Sequence, residues 1–214
     1  MIARVASLQV GQIAPLGPDA VPSGFVKQAV AGPVEVGTLG LDGDAQADLT
    51  VHGGPEKAVY GYAASHYPLW ANDFPNLADR FVAGSMGENL TIAGIDESDL
   101  CVGDVHAIGT ALLQLCQPRR PCFKLALALG EARLGKAMVR SGRSGWYYRV
   151  LREGAITAGD AVTLVERPNP AFAFSRLVTI VNLGGADVVE MRAMAEMPGV
   201  ASRIAARARA ALDS

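Results

Sequence analysis

The sequence has no excess of either charge, few aromatic residues and no long apolar run, and these shortages exclude several classes of protein. Lysine and arginine total 19 against 21 acidic residues, so the net charge of −2 argues against sequence-independent binding of nucleic acid. The longest apolar stretches, such as 125–129, fall far short of the roughly 20 residues that cross a bilayer. We therefore expect neither a nucleic acid nor a membrane as partner.

Cysteine is also scarce, and its odd number favours reduced thiols over a disulfide framework. The three cysteines are Cys101, Cys116 and Cys122. The first residues carry neither the long apolar stretch nor the small-residue cleavage site of a secretory signal, so we expect a cytoplasmic protein. No Cys-x-x-Cys or His-x-x-x-His pair accompanies these cysteines, and zinc is therefore not expected.

The chain does contain enough apolar side chains for one main domain, since 50% of its 214 residues are hydrophobic. Short apolar runs alternate with Gly, Pro and Asp, a pattern typical of strands joined by tight turns. Many short strands favour a barrel or a sandwich over a doubly wound sheet, so the predicted class is mainly β. The predicted strands are 3–10, 34–36, 58–62, 89–92, 105–108, 111–116 and 161–165.

Helix-forming residues interrupt this pattern at 65–72 and 131–141, and they dominate after Pro168 and Pro170. Because two prolines in three positions block regular structure, we place a domain boundary there, between residues 1–168 and 169–214. The C-terminal part is predicted to hold three short helices, at 174–183, 188–196 and 200–212. Arg203 and Arg207 share a face of the last helix, which favours a solvated basic surface over a nucleic-acid surface.

The segment that contains His52, Gly53 and Gly54 is the first candidate for chemistry. The two glycines let backbone amides approach an anion or a heterocycle closely, and Lys57 suits a phosphate as a point charge. A tight turn followed by a surface lysine is an equally good interpretation of the same spacing.

The segment around Cys122 is the second candidate. Arg119, Arg120 and Lys124 are close to this cysteine in sequence and would lower its pKa if they also converge on it in space. A thiolate is a nucleophile or a ligand for a soft metal. The alternative is that Cys122 is a small buried apolar residue, which is the stronger interpretation for the other two cysteines.

Other polar residues carry weaker signals. Asn89 could offer a donor and an acceptor to a heterocycle, or simply satisfy its own turn. His66 and His106 are isolated and fit ordinary hydrogen-bonded side chains. The aromatic run in 144–149 could line a cleft, but it better fits a strand with core aromatics.

Five segments follow one another in the chain in a recognisable order: GLDGDAQADLTVHGGPEKAVYGY, HYPLW, GENLTIAGIDESDLCVGD, IGTALLQLCQPRRPCFKL and SGWYYRVLREG. Taken together, they resemble the MOSC domain family, and within it the YiiM-like proteins. The resemblance covers about residues 36–168, and the three-helix end resembles the small α domain of YiiM-like chains. One departure is Met86, where the family pattern usually has Phe, and this change could alter the pocket wall.

The resemblance implies a β-barrel related to the one inserted in pyruvate kinase, with packed helices and a small C-terminal three-helix domain. It also implies a pterin-based molybdenum cofactor, whose metal is bound by a cysteine that matches Cys122. The same resemblance assigns the remaining candidates to binding the cofactor's pterin and phosphate. These candidates are His52, Gly53, Gly54, Lys57, Asn89 and Arg119.

For function, the resemblance to YiiM-like and amidoxime-reducing MOSC proteins implies an oxidoreductase that reduces N-hydroxylated bases or related compounds. The sequence has no dinucleotide fingerprint and no cysteine set for an iron–sulfur cluster, so we expect a separate electron-donor protein. The three-helix end could serve a homodimer, donor docking or simple packing. The alternative function is a carrier of sulfur or of the cofactor that uses Cys122. A hydrolase with a Cys122 and His52 pair is weaker, because no orienting third group is evident.

Overall fold

A large mixed sheet dominates the computed structural model, which describes residues 2–213. The outermost residues of the two predicted domains, Met1 and Ser214, lie outside the described residues. The strands are β1 Arg4–Val10, β2 Ala14–Leu16, β3 Val21–Ser23, β4 Gln28–Ala29, β5 Val34–Gly37, β6 Gly40–Leu41, β7 Val59–Ala63, β8 Leu90–Ala93, β9 Val105–Ile108, β10 Ala111–Pro118, β11 Trp146–Arg152, β12 Gly154–Ile156 and β13 Val162–Glu166.

Eight of these strands form the main sheet in the order β13-β9-β10-β11-β7-β8-β1-β4. Neighbours pair antiparallel except β7 and β8, which run parallel. Strands β12, β5 and β6 form a small second sheet, and β2 pairs with β3. The main sheet curls so that Arg4 of β1 meets Ala161, just before β13, in a single bridge. No continuous ladder joins these two edges in residues 2–213, so the closed barrel remains a prediction.

The strand predictions from composition are confirmed in position, because each predicted run overlaps an observed strand. The run 105–108 is matched residue for residue, and the aromatic run 146–149 belongs to a strand as expected. The short strands β2, β3, β4, β6 and β12 escaped prediction, since two or three residues are too few to show alternation.

The helices are α1 His66–Asp73, α2 Phe123–Leu129, α3 Leu134–Ser141, α4 Phe174–Leu183, α5 Val188–Glu196 and α6 Ser202–Leu212, with 3-10 turns at Pro55–Lys57 and Pro75–Arg80. All are near their predicted positions except α2, which the sequence analysis treated only as an apolar run. Asp187 and Glu190 form the capping box that begins α5. The helix α2 ends at Gly130, which adopts a left-handed conformation with φ of 70°. None of the helices within residues 2–213 combines the length and the hydrophobicity that a membrane crossing requires.

Two hydrophobic clusters hold the fold together. The larger one combines strand residues such as Leu113 and Tyr148 with Phe174 and Leu177 of α4, so the C-terminal helices share the core of the sheet. The boundary after residue 168 remains a prediction. The smaller cluster is rich in aromatic residues and contains Met86, which is fully buried and lines neither pocket described below.

Candidate functional site

Cys122 lies in the connection between the longest strand of the main sheet and α2. It is the residue that immediately precedes the first turn of α2, in extended conformation, and its side chain is partly buried. The two prolines that flank this connection, Pro118 and Pro121, keep the chain out of helix until Phe123. The sulfur is thus presented at the end of the sheet.

The environment of Cys122 favours the thiolate. Burial by itself would raise the pKa of this thiol, but a hydrogen bond with His52, the charge of Arg119 and the backbone N–H of Lys124 lower it to about 7. Two of the three cations expected from the sequence therefore act on the sulfur, one through its side chain and one through its backbone. Arg120 is instead exposed and faces a different space, described below.

The segment of His52, Gly53 and Gly54, here called the glycine segment, contacts Cys122 through its histidine. Gly53 has φ of 73°, a left-handed backbone conformation that would strain any residue with a Cβ. Gly54, with φ of 82°, precedes the 3-10 turn that presents Lys57. The Gly54 carbonyl accepts the N–H of Lys57 at 2.9 Å. Gly54 therefore shapes the turn and does not itself line the site.

A small polar pocket, the inner pocket, adjoins Cys122 and has a volume of about 80 Å³. Four of its residues are cysteine or cationic residues that the sequence analysis named, Lys57, Arg119, Cys122 and Lys124, and several others were not expected. Its lining consists of Ser23, Gly24, Phe25, Lys27, Asp44, Ala45, Gln46, Ala47, His52, Gly53, Lys57, Tyr60, Gly87, Asn89, Arg119, Cys122, Lys124 and Tyr147.

Arg119 is the buried cation of the inner pocket. Only 4% of its surface is exposed, and its guanidinium lies 5.6 Å from the ring centre of Phe25 and 5.2 Å from that of Tyr60. Its Nη1 is 3.5 Å from Sδ of Met138, and no carboxylate within residues 2–213 forms an ion pair with it. Burying such a charge is costly unless an anion compensates it, so this arrangement suits an anionic ligand.

Two charged residues of the inner pocket, Lys27 and Asp44, were missed by the sequence analysis, which did name Lys124. Lys27 and Asp44 form a buried ion pair, and Asp44 also accepts the N–H of Gly11 at 2.8 Å. Lys124 is buried, and its Nζ donates to the carbonyl of Pro22 at 2.9 Å. Asp44 does lie in a segment that carries the family resemblance, whereas no motif marked Lys27, which comes from the loop after β3.

Asn89 forms hydrogen bonds to the backbone of neighbouring strands. Its Oδ1 accepts the N–H of Tyr60 at 3.1 Å, and its Nδ2 is 3.3 Å from the carbonyl of Gln9. The side chain thus ties β7, β8 and β1 together at the wall of the inner pocket. Its amide is engaged in the fold, and its part in binding the cofactor stays a prediction.

A second and much larger space, the outer cleft, begins at Cys122 on the opposite side and has a volume of about 1340 Å³. One wall comes from the strand-end loops, with Arg120 and Phe123, and the other from the C-terminal helices, with Ile180, Met194 and Ile204. The inner pocket and the outer cleft share Ala47, His52, Lys57, Cys122, Lys124 and Tyr147.

The remaining cysteines and histidines are structural, as predicted. Cys101 and Cys116 are buried, and burial raises the pKa of the Cys116 thiol to about 12. His66 hydrogen-bonds to Glu97 at 2.6 Å, and Nδ1 of His106 lies 2.8 Å from the hydroxyl of Tyr148. None of these four residues lines the inner pocket or the outer cleft.

The residues present fit an anionic cofactor with a soft metal. Cys122 supplies an acidic thiol, and the uncompensated charge of Arg119 supplies a partner for an anion. At about 80 Å³ the inner pocket is smaller than ordinary ligand pockets of roughly 300 Å³ or more, so an organic cofactor would extend past Cys122 into the outer cleft. The contact between Cys122 and His52 that the hydrolase alternative requires is present in the structure. Within residues 2–213, however, no side-chain hydrogen bond orients the other ring nitrogen of His52, which a catalytic triad would need.

Comparisons with known proteins identify the family of the chain. The MOSC domain family model matches residues 48–163. YiiM from Escherichia coli is 41% identical over 150 residues, which cover 70% of this chain and 67% of that protein. The crystal structure of YiiM from Geobacillus stearothermophilus superposes with a TM-score of 0.82 at 33% identity, over 98% of this chain and 99% of that one.

A third relative is longer. The protein named Reductase from Gibberella moniliformis is 39% identical over 154 residues, which cover 72% of this chain but 27% of that protein. This chain therefore corresponds to about a quarter of the reductase.

The family model spans more than half of the chain, and the YiiM structure covers nearly all of it, including the C-terminal helices. MOSC domains take their name from the C-terminal domain of molybdenum cofactor sulfurases. The chain belongs to the MOSC domain family and is a YiiM-like member of it.

Proposed function

We propose that this chain is a cytoplasmic, molybdenum cofactor-dependent oxidoreductase that reduces N-hydroxylated bases or related N-hydroxylated compounds. The observation that carries the proposal is the position of Cys122, an acidic thiol at the junction of a cationic pocket and a largely apolar cleft. The thiolate suits a soft metal, the inner pocket suits the anionic end of a pterin cofactor, and the cleft suits a flat heterocycle. Similarity to a protein named Reductase supports the class of reaction.

The chemistry divides between the cofactor and the chain. When bound, the cofactor supplies the two-electron chemistry that converts an N–OH group and two protons into N–H and water. Cys122 presents its sulfur as a thiolate, because its pKa of about 7 leaves much of the group ionised at neutral pH. Arg119 and Lys124, with Lys57 at the boundary of the two spaces, neutralise the negative charge of the cofactor.

His52 is the titratable side chain placed to handle protons. It hydrogen-bonds to Cys122 and lines both the inner pocket and the outer cleft. Imidazole is the side-chain group that most often transfers protons in enzymes. Its ring nitrogen would therefore deliver one of the two protons that the reduction consumes.

The carrier alternative makes a different demand on Cys122. A sulfur carrier needs a freely exposed cysteine on a partner surface, whereas a reductase needs a cleft beside the metal. Cys122 is partly buried, and a cleft of about 1340 Å³ opens beside it, which favours the reductase. The electrons come from a separate donor protein under this proposal.

The first test is the molybdenum and pterin content of protein purified from a host that makes the cofactor. We expect roughly one metal per chain in the parent protein and loss of metal in Cys122→Ser. Turnover of an N-hydroxylated base with a chemical reductant should be lost in the same variant. Cys101→Ser is the matched control, since its hydroxyl can replace the thiol that faces the Pro170 carbonyl at 3.7 Å.

Two results would count against the proposal. Parent protein without metal or pterin, from a host that loads a known molybdoenzyme, would favour the carrier or a metal-free role. Retained turnover in a metal-loaded, folded Cys122→Ser protein would remove this cysteine from the mechanism.

A further inference from the structure

The outer cleft is lined largely by apolar side chains, but the wall formed by the C-terminal helices also carries cations. Arg203 and Arg207 of α6 line it together with Ile204 and Ala208 of the same helix. Four residues span about one helical turn, so the Cα atoms of Arg203 and Arg207 lie roughly 6 Å apart along α6, on the same face of the helix. The basic face that the sequence analysis interpreted as solvated thus borders the proposed substrate space.

These arginines have no acidic partner within residues 2–213. Neither Arg203 nor Arg207 forms an ion pair there, and Arg120, on the opposite wall, forms none either. Arg203 lies close enough to Lys57 to lower the pKa of that lysine, in addition to the larger effect of burial. Several cations therefore face one space without compensation, which favours an anionic ligand.

The acidic residues of the cleft are already engaged. The carboxylate of Glu56 accepts one hydrogen bond from Nη2 of Arg149 at 2.8 Å and another from the N–H of Ser202 at 2.8 Å. Asp48 accepts the N–H of Thr50 at 3.0 Å. Neither carboxylate pairs with the exposed arginines of α6, so both guanidinium groups are available to an anionic ligand.

We propose that the outer cleft is a nucleotide subsite, in which Arg203 and Arg207 bind the 5′-phosphate of an N-hydroxylated nucleoside monophosphate whose base points toward Cys122. This inference rests on the proposed function and narrows its substrate class. A pair of guanidinium groups matches the geometry of a phosphate, and the apolar walls match a flat base. A free base has no negative group for the two arginines to bind. The cofactor phosphate has separate partners in the inner pocket, and about 1340 Å³ leaves room for both molecules.

The test compares three substrates on metal-loaded protein: an N-hydroxylated purine base, its nucleoside and its 5′-monophosphate. In the parent protein we expect the KM of the monophosphate to be at least about tenfold below that of the nucleoside, since a charge-assisted phosphate contact contributes this much affinity. In the Arg203→Gln/Arg207→Gln variant this difference should vanish, while kcat and the KM of the free base stay unchanged. Arg192→Gln, which removes an exposed charge on α5 outside both spaces, is the control.

A binding experiment keeps this inference separate from the proposed function. Calorimetry with adenosine 5′-monophosphate and adenosine should show about tenfold tighter binding of the monophosphate, lost in the double variant and weakened by salt. Equal KM values for nucleoside and monophosphate in an active parent protein would overturn the nucleotide subsite and leave the reductase standing. No turnover of any substrate, with phosphate-dependent binding retained, would overturn the reductase alone. The absence of both signals would overturn both.

Discussion

Cys122 owes its acidity to residues that come from different parts of the chain. His52 belongs to the glycine segment, Arg119 to the end of the longest strand, and the Lys124 N–H to the first turn of α2. These contacts together outweigh the cost of burying a thiolate. Cys116 also has a cation beside it, Arg149, but its burial outweighs that contact and raises the pKa of its thiol to about 12.

The first prediction concerns the reactivity of Cys122. The pKa is lowered, so the reactive thiolate is present above about pH 7 and disappears as pH falls below that value. We expect iodoacetamide to modify Cys122 with a half-maximal rate near pH 7, and His52→Gln to move this midpoint upward. The rate is measured on the parent apoprotein by mass spectrometry of the peptide that contains Cys122.

The other cysteines provide the control, because both are buried and should react only after denaturation. A midpoint at the ordinary thiol value of about 8.5, unchanged by His52→Gln, would contradict the electrostatic account of this site.

At the scale of elements, α6 depends on a cap from elsewhere in the chain. Its N-cap residue is Ala201, which has no side chain able to accept a hydrogen bond. The carboxylate of Glu56 replaces it by accepting the N–H of Ser202 at 2.8 Å and its hydroxyl at 2.9 Å. A negative charge at the N-terminus of a helix also interacts favourably with the positive end of the helix dipole. Since Glu56 directly precedes Lys57, this contact links the C-terminal helices to the site.

The second prediction is that Glu56→Ala destabilises the protein by about 1 to 3 kcal/mol, because it removes a helix cap and leaves Arg149 without its carboxylate. Hydrogen exchange should accelerate in residues 202–212 more than in the main sheet. Urea unfolding and exchange mass spectrometry measure the two effects.

Glu131→Ala is the matched control, since this carboxylate pairs with Arg133 at the surface, away from α6. If exchange in α6 responds equally to both substitutions, the cap has no special role.

At the scale of the whole molecule, the sheet and the C-terminal helices share one hydrophobic cluster. Phe174 at the start of α4 is 0% exposed and packs in this cluster, and its N–H donates to the carbonyl of Leu100 at 2.8 Å. The outer cleft lies between these two parts, so its shape depends on how firmly they pack.

The third prediction follows from this shared core. Phe174→Ala should lower the free energy of unfolding by about 3 to 5 kcal/mol and the protein should still unfold in one transition, because sheet and helices lose the same contacts. Leu183→Ala, at a side chain that is 62% exposed, is the control and should have little effect. Calorimetry that resolves a separate early transition of the C-terminal helices would show instead that they form an independent domain.

Sequence reasoning located most of the regular elements, and the reasons for its failures are local. The strand at 105–108 was predicted residue for residue, because its apolar side chains and the preceding Gly-Asp turn are local signals. The helix α2 was not predicted, since a run of five alternating Leu and Ala residues within its seven suits either a helix or a strand until its packing is known. The site residues were also predicted only where the sequence carries a local signal. Cys122, His52 and Arg119 were named in advance, but Lys27 carries no local signature.

The amino-acid order alone determined the β-rich class, the family and the identity of the central cysteine, because strand-forming runs, turn residues and family motifs are local in sequence. Only the tertiary structure decided which charges remain uncompensated. The engagement of Asn89 within the fold, the cap that Glu56 provides for α6, and the position of Arg203 beside the cleft all join residues far apart in the chain. Electrostatic and packing energies depend on distance in space, and no pattern along the chain specifies those distances.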